Sequence, residues 1–398
     1  MAKTGGRQVE VGIGIEVTPG TPVTTTISPK WSDISMQGVA EKSLLTSARG
    51  VRNESSNSII RRKYMQGSME LVANVEIAPY LFGLLLSGAI TTALAETPSS
   101  TGTADTDTSS KLVDSSANFT GDGVAVGDAV HNTTDDTFAL VTVVDSATSL
   151  SLDSDAFPDG DEVYQVGTPV YEHTIVMQNA NASMKAATVI IIDGSIVTER
   201  FSNVVVDSLN LEVSDEFARI TVEVLGGFPD TGSHTPAYTQ DTEFAYHQMT
   251  AKFGTTLANA AGNSATPLKA FSLNAANNIL LDEAFLSGNN TPVAGGFVGG
   301  PFQASGSYTL HFSDTTELAK YKANTKNAVV LSLQGASIGD SDVEEIEISL
   351  GRLILTTPPI ETNLDGLLVL TQEFTVEFEA TDKEMKVIVT NGRDGTDY

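Results

Sequence analysis

Apolar and polar residues alternate along most of this chain with a period of two. Residues 204–213 alternate in this way, and residues 218–227 do so again after a short turn. Near the C-terminus, residues 345–350 and 373–378 repeat the pattern. Such alternation is typical of strands that bury one face. It predicts two antiparallel hairpins, each with one apolar face and one acidic or polar face.

Each predicted hairpin is preceded by three similar elements in the same order. A strand beginning with Gly-Ser comes first, a short helix comes second and a buried apolar strand comes third. These elements lie at 67–71, 79–86 and 188–193 before the first hairpin, and at 306–310, 315–326 and 328–333 before the second. The repeated order indicates an internal duplication that covers roughly residues 37–230, without an insert, and 266–380.

Residues 77–95 contain no charged side chain and have about the length that spans a bilayer. They also contain Pro79, Gly83 and Gly88, and no Lys or Arg flanks them. This composition favours a buried helix at 79–86, followed by a turn of small residues, over a membrane span. We expect no association with a membrane.

Charge is distributed unevenly along the chain. Residues 98–168 hold one basic and 13 acidic side chains, so they account for −12 of the total charge of −28. This segment opens with TPSSTGTADTDTSS, which has the composition of a linker, and continues with short alternating runs separated by turns. The predicted organisation is a first domain at 1–97 and 169–240, an acidic β insert at 98–168, a second domain at 241–380 and a C-terminal arm at 381–398.

The composition excludes several classes of function. The chain has 22 basic and 50 acidic side chains, whereas nucleic-acid-binding proteins carry an excess of Lys and Arg. It contains no Cys, which removes disulfides, thiolate nucleophiles and Cys-based metal centres. The overall pattern predicts a mainly β protein of sandwich or barrel type, with a short flanking helix in a duplicated domain and a small all-β insert.

No motif in the sequence supports catalysis or metal binding. The D-x-D pairs lack the further ligands that a calcium loop needs, and the histidines are scattered without ligand or catalytic spacing. These residues are Asp105, Asp107, Asp153 and Asp155, and His131, His173, His234, His247 and His311. We therefore predict solvated turns, ordinary histidines, no cofactor, no metal and no enzymatic activity.

One local segment is basic, although the chain as a whole is acidic. Five basic side chains fall within fifteen residues and are accompanied by a single acid, Glu54. Such a segment is complementary to the acidic surface of the same protein. The basic segment is either a soluble hairpin tip or an arm that docks onto another copy of the chain. We favour the second interpretation.

The N-terminal sequence VGIGIEVTPGTPVTTTISPKWSDISMQ, the Arg-rich segment after it and GSMELVANVEIAPYLFGLLLSGAI together resemble the phage tail tube proteins. The later hairpins resemble the sheet-forming pairs of that family. The resemblance implies packed antiparallel sheets that join neighbouring copies in a ring, and rings that stack into a hollow tube. It implies a protein made in the host cytoplasm and incorporated into the virion tail.

The resemblance also assigns candidate site residues. In the family a long loop between early strands reaches the adjacent ring, and here that position is about residues 48–66. The expected inter-ring contacts are Arg49, Arg52, Arg61, Arg62 and Lys63. An acidic wall would let DNA pass without gripping phosphate. The acidic hairpin faces therefore predict a lumen lined by Glu212, Glu223, Glu345, Glu347, Glu373 and Glu377.

The expected partners are further copies of the chain, the tape measure protein and the tail terminator or tip proteins, with DNA in transit. If each half is a tube domain, three copies supply the six domains of a six-membered ring, so a trimer is favoured over a hexamer. The alternatives are a capsid decoration or baseplate component, a cell-surface adhesin and a secreted β-sandwich hydrolase.

Overall fold

The computed structural model describes residues 9–46, 55–135, 137–178, 184–193, 197–238, 243–285, 296–311, 316–338, 343–356, 369–377, 385–393 and 395. Its strands are β1 (Val9–Ile15), β2 (Trp31–Ile34), β3 (Gln37–Thr46), β4 (Ser55–Val72), β5 (Ser87–Thr103), β6 (Lys111–Val113), β7 (Ala129–Asn132), β8 (Thr137–Ser146), β9 (Ser149–Leu152), β10 (Val163–Met177), β11 (Ala187–Asp193), β12 (Val197–Val213), β13 (Arg219–Gly226), β14 (Met249–Gly254), β15 (Ala270–Ala276), β16 (Gln303–His311), β17 (Asn327–Ser337), β18 (Val343–Leu355), β19 (Val369–Val376) and β20 (Met385–Asn391). Its helices are α1 (Ala78–Leu86), α2 (Leu257–Gly262) and α3 (Thr316–Ala323). The fold is mainly β, as the alternating pattern predicts.

One order of strand pairing occurs twice. Strands β1, β11, β12, β13 and β4 pair in that order, and strands β14, β17, β18, β19 and β16 pair in the same order. All of these pairs are antiparallel. Helix α1 lies between β4 and β11 in the chain, and α3 lies between β16 and β17. We call the elements from β1 to β13, without those of the insert, the first half, and those from β14 to β19 the second half.

The two halves also share an irregularity in register. In the β11–β12 pair, the ladder skips between Ala187 and Val189 on β11, and three residues of β12 span that interval. In the β17–β18 pair, the same shift separates Asn327 from Val329. Because a bulge bends the strand that carries the extra residue, β12 and β18 are both bent at matching positions.

A glycine in each half allows a neighbouring strand to cross closely. A Cβ on Gly67 would lie 2.2 Å from the carbonyl oxygen of Ser35, and a Cβ on Gly306 would lie 2.1 Å from that of Ser272. Both distances are far inside van der Waals contact, so only glycine fits. The repeated Gly-Ser pair of the sequence thus marks the same structural position twice.

Strand β15 joins the two halves into one eight-position sheet. Strands β2 and β3 lie end to end along β4, and β15 lies along β16. Strand β15 also pairs with β12. The resulting order is β2/β3, β4, β13, β12, β15, β16, β19 and the end of β18, and we call this the joined sheet.

A second sheet is formed by β14, β17, the first part of β18, β20, β10 and β5. Here the structure differs from the predicted second hairpin, since β18 pairs with β17 and β20 and meets β19 only at Leu353–Leu355. The described residues of the predicted C-terminal arm include β20. Asn391 at its end donates to the Val75 carbonyl oxygen (2.9 Å) and contacts His173 Nε2 (3.0 Å).

The two halves share one hydrophobic core. A single cluster of buried side chains includes Val222 and Leu211 of the first half, Leu331 and Ile348 of the second half and Val387 of β20. All nine residues of α1 are buried as well. Burial of this apolar surface stabilises the fold by roughly 25 cal/mol per Å². The division into halves therefore lies in the strand pairing and not in separate cores.

Helix α1 confirms the predicted apolar helix, but the expected turn of small residues after it is wrong. The helix ends at Ser87, which adopts a left-handed conformation with φ of 51°, and β5 begins at once. Gly88 allows β10 to approach β5 closely, since a Cβ there would lie 1.7 Å from the carbonyl oxygen of Val176. The polar helix predicted at 315–326 is also present, as α3.

The insert has a hydrophobic cluster of its own, which includes Phe119, Phe157 and Tyr164. The first part of the expected linker is a strand instead, because β5 and β10 form a ladder, with two irregularities in register, from Met177 and Ser87 to Val163 and Thr103. Thr-rich sequence is compatible with a strand, since β-branched residues fit a pleated surface. The insert is thus carried on a two-stranded ribbon that grows out of the second sheet.

Candidate functional site

The polar face of the joined sheet is built from alternate residues of its strands. On β13, Ile220, Val222 and Val224 are buried in the core, whereas Thr221 is partly exposed and Glu223 is exposed. Alternate side chains of a strand leave opposite faces of the sheet. The face of the joined sheet that points away from the core therefore presents hydroxyl and carboxylate groups.

Two rows of Glu, Ser and Ser occupy matching places on this face. The rows are Glu223–Ser68–Ser35 in the first half and Glu373–Ser307–Ser272 in the second half. In each row the glutamate is exposed and lies opposite the first serine, and the two serine hydroxyl oxygens are 2.9 Å and 3.0 Å apart. The same polar groups therefore appear twice along one sheet.

Other charges on this face leave it acidic. Glu212 is exposed and lies opposite both Arg219 and Ser272. Arg219 binds Glu70 at 2.8 Å and Glu216 at 3.2 Å. Hydrogen bonds from Ser32 and from Arg219 lower the pKa of Glu70, so that carboxylate stays ionised. The arginine is thus neutralised locally, while Glu212 and Glu223 have no ion pair among the described contacts.

Glu377, a further predicted lumen residue, is paired with cations of the second half. Its carboxylate lies 2.6 Å from Lys326 Nζ and 3.3 Å from Arg352 Nε. Such partly exposed pairs contribute little to stability. They do reduce the negative charge that Glu377 adds to the surface.

Glu345 and Glu347 lie on a different surface, formed by the second sheet. Glu345 accepts a hydrogen bond from Ser332 on β17, and Glu347 lies opposite Ile388 on β20. Burial raises the pKa of Glu347, and Glu345 and Glu172 add to the effect while Lys386 opposes it. The structure therefore does not gather all six predicted carboxylates on one face.

The described basic residues of the predicted docking arm have partners in the same chain. Arg61 binds Glu41 at 2.6 Å, and Arg62 binds Asp282 at 2.6 Å. The Arg62 guanidinium also lies 5.0 Å from the Phe285 ring, and Lys63 Nζ lies 5.0 Å from the Phe228 ring. Arg49 and Arg52 lie outside the described residues.

The same arm carries exposed apolar side chains that are not among the predicted contact residues. Leu44 on β3 is 67% exposed, and Ile59 and Ile60 on β4 are 62% and 41% exposed. Cross-strand pairing puts Leu44 opposite Ser58 and Ile59 opposite Ser43, so the two lie on opposite faces of the hairpin. Their sequence signal was the adjacent pair Ile59 and Ile60, which stands in an otherwise polar segment. Ile60 shares the face of Leu44, so exposed apolar side chains lie on both faces of this hairpin.

Comparison with known families identifies the chain. The family model described as phage tail tube protein matches residues 6–377. The chain belongs to the phage tail tube protein family. A search of the curated proteins finds no match. The family match confirms the resemblance seen in the sequence. This tail tube protein is therefore a structural component of the virion tail.

The tail tube protein shows no sign of a metal centre among its described residues. No group of three or more His, Asp or Glu side chains there is arranged to hold a metal ion. Three of the aspartates considered above accept hydrogen bonds from backbone N–H groups: Asp105 from Ser115, Asp153 from Leu140 and Asp155 from Ser110. Across the same part of the chain, none of the helices is both long and apolar enough to span a bilayer.

Proposed function

We propose that this tail tube protein assembles into rings that stack into a hollow tube, and that the polar face of the joined sheet lines the lumen. The observation that carries this proposal is the repetition of one polar face in both halves of a single sheet. Glu223 and Glu373 occupy matching strands, matching registers and matching serine neighbours. A surface repeated within one chain is suited to a closed ring in which each half plays the same part.

The repeated pairing supports an internal duplication and three copies per ring. Each chain supplies two matching sets of strands to the joined sheet, so three chains supply six. The corresponding division of the chain is a first domain at 1–97 and 169–240 and a second at 241–380, with 98–168 inserted. Strand β20, which lies in the predicted C-terminal arm, pairs within the second sheet.

An acidic lumen suits the passage of DNA. Phosphate groups are repelled by carboxylates, and the repulsion acts over a Debye length of about 8 Å at physiological salt. The duplex would then slide through a hydrated gap without tight binding. The other proposed partners are the tape measure protein and the tail terminator or tip proteins, which meet the tube inside and at its ends.

Electron microscopy of the purified protein tests the proposal. We expect rings or hollow tubes in negative stain and, in a reconstruction, three chains per ring with pseudo-sixfold symmetry. Six chains per ring would reject the trimer. A protein that stays monomeric at high concentration and forms no tubes would reject the function.

The insert is proposed to lie on the outside of the tube, where it is dispensable for assembly. Thr97 and Thr168 are directly paired on the β5–β10 ribbon. Replacing residues 98–167 by Asn-Gly should therefore close the ribbon with a two-residue hairpin turn. We expect a folded, tube-forming protein, measured by circular dichroism and by tube diameter in micrographs. Insoluble protein from this variant would show that the host domains need the insert.

A further inference from the structure

The polar face of the joined sheet contains a cavity of about 360 Å³ in the first half. These polar lining groups come from β12, β13, β4 and the β2–β3 segment. They are two carboxylates, two amides and two hydroxyl groups: Asp207, Glu223, Gln37, Gln66, Ser35 and Ser68. A volume of this size lies near the lower end of the range for ligand pockets, so the cavity has room for one small molecule or one long side chain.

A bulge in β12 carries Asp207 to this cavity. In the β12–β13 pair, the register skips one residue of β12 between Val206 and Ser208, and the extra residue is Asp207. A bulge changes the direction of a side chain relative to a regular strand. Asp207 Oδ1 accepts a hydrogen bond from the Ile279 N–H at 2.7 Å, which holds the carboxylate in place. The cavity therefore presents a fixed carboxylate together with the exposed carboxylate of Glu223.

The second half has one carboxylate fewer at the equivalent place. Val224 and Phe374 each follow the matching glutamate of their strand. The β12 residue opposite Val224 is followed by Asp207, and the β18 residue opposite Phe374 is followed by Thr356. Thr356 therefore stands where the first half has Asp207. Between these equivalent positions, only the first half brings two carboxylates together.

We propose that this cavity binds the guanidinium group of an arginine side chain that belongs to a polypeptide enclosed by the tube. The source of the arginine rests on the proposed function, since the cavity opens on the face that would line the lumen. A guanidinium group carries a permanent positive charge and five N–H donors in one plane. The two carboxylates supply the opposite charge, and the amide and hydroxyl oxygens supply further acceptors. One such site is expected in each chain.

Other classes of ligand suit this lining less well. Both carboxylates repel phosphate, which disfavours DNA. A calcium-type site needs about six oxygen ligands, and no group of side chains arranged to hold a metal ion occurs in the described part of the chain. Val224 and Leu225 also line the cavity and offer apolar surface to the methylene stem of an arginine. The lining thus matches both the charged end and the apolar stem of this side chain.

Binding of a small probe to the purified full chain tests the site. The probe is N-acetyl-arginine amide, and N-acetyl-citrulline amide is the control ligand because it has the same shape without the charge. Saturation-transfer difference NMR should show saturable binding of the arginine probe, with a dissociation constant about tenfold lower than that of the citrulline control. Equilibrium dialysis should give one bound probe per chain. Equal binding of the two probes would reject a guanidinium site.

Conservative variants locate the binding. E223Q and D207N each remove one charge at nearly constant size, and D207N keeps an oxygen that can accept from the Ile279 N–H. Each should raise the dissociation constant of the arginine probe about tenfold. E373Q is the matched control, because it changes the net charge from −28 to −27 as they do but lies at the equivalent place in the second half. It should leave the dissociation constant unchanged. Equal weakening by E373Q would show general attraction to the acidic face and reject the cavity.

The outcomes separate this inference from the proposed function. Tubes whose chains bind the probe equally with and without Asp207 and Glu223 reject the cavity and leave the tube intact. Probe binding by a protein that forms no tubes rejects the proposed function and the enclosed polypeptide, and it leaves the guanidinium site. Spermidine that binds more tightly than the arginine probe, and is weakened by E223Q but not by E373Q, would assign the cavity to free polyamines and overturn the side-chain assignment.

Discussion

Tubes of the double variant E223K/E373K are expected to retain double-stranded DNA that the unmodified tube lets pass. The two substitutions change the chain from −28 to −24, so the protein stays acidic overall and any gain in binding is local. In a ring of three they place six lysines at matching positions of the lumen. We expect about tenfold more short duplex DNA to sediment with the tubes at 50 mM salt.

Salt dependence identifies the cause of this retention. Binding through about six phosphate contacts weakens roughly a thousandfold between 50 and 200 mM salt, because condensed counterions are released on binding. The added binding should therefore vanish at 200 mM salt. Sedimentation of labelled duplex with assembled tubes measures both conditions.

The variant E172K/E345K is the matched control. It changes the charge by the same amount on the second sheet, where Glu172 is exposed and Glu345 is partly exposed. Its tubes should not retain duplex beyond the unmodified level. Retention by this variant alone would place the lumen on the second sheet.

Alternation along the chain was enough to predict the strands and their buried faces, but not their neighbours. Glu345 and Glu373 both lie on polar faces of alternating strands, and the sequence treats them as one set. The bulge between Leu350 and Leu353 bends β18, so that its first part joins the second sheet and its end joins the joined sheet. A two-residue period carries no information on such a change of partner.

The contacts of the basic residues could not be predicted from the local sequence either. Arg62 meets Asp282 and Phe285, which lie more than 200 residues away in the sequence. Local composition suggests free cations, whereas tertiary contacts neutralise them. The repeated strand order, by contrast, left a signal in the sequence, because Gly67 and Gly306 are both required by the same close approach of a neighbouring strand.

The double variant L44E/I59E is expected to abolish tubes while leaving rings intact. The β3–β4 arm presents Leu44 on one face and Ile59 on the other, and an arm inserted into a neighbouring ring would bury both. Burial of each side chain contributes about 1.5–3 kcal/mol, and a ring of three chains would have three arms. The variant loses the burial energy of both apolar side chains and would have to desolvate two carboxylates to stack. Single rings should therefore remain in negative stain.

Two further variants would show whether the apolar or the basic side chains of the arm hold the rings together. S43A/S58A alters the cross-strand partners of the same residues without removing apolar surface, and it should form tubes of normal length. R61E/R62E/K63E tests the basic residues, whose reversal should shorten tubes if they bind an acidic patch of the next ring. Charge-based stacking weakens as salt rises, whereas apolar stacking does not. Tubes of normal length from L44E/I59E at every salt concentration would contradict the apolar contact and leave stacking to the charges.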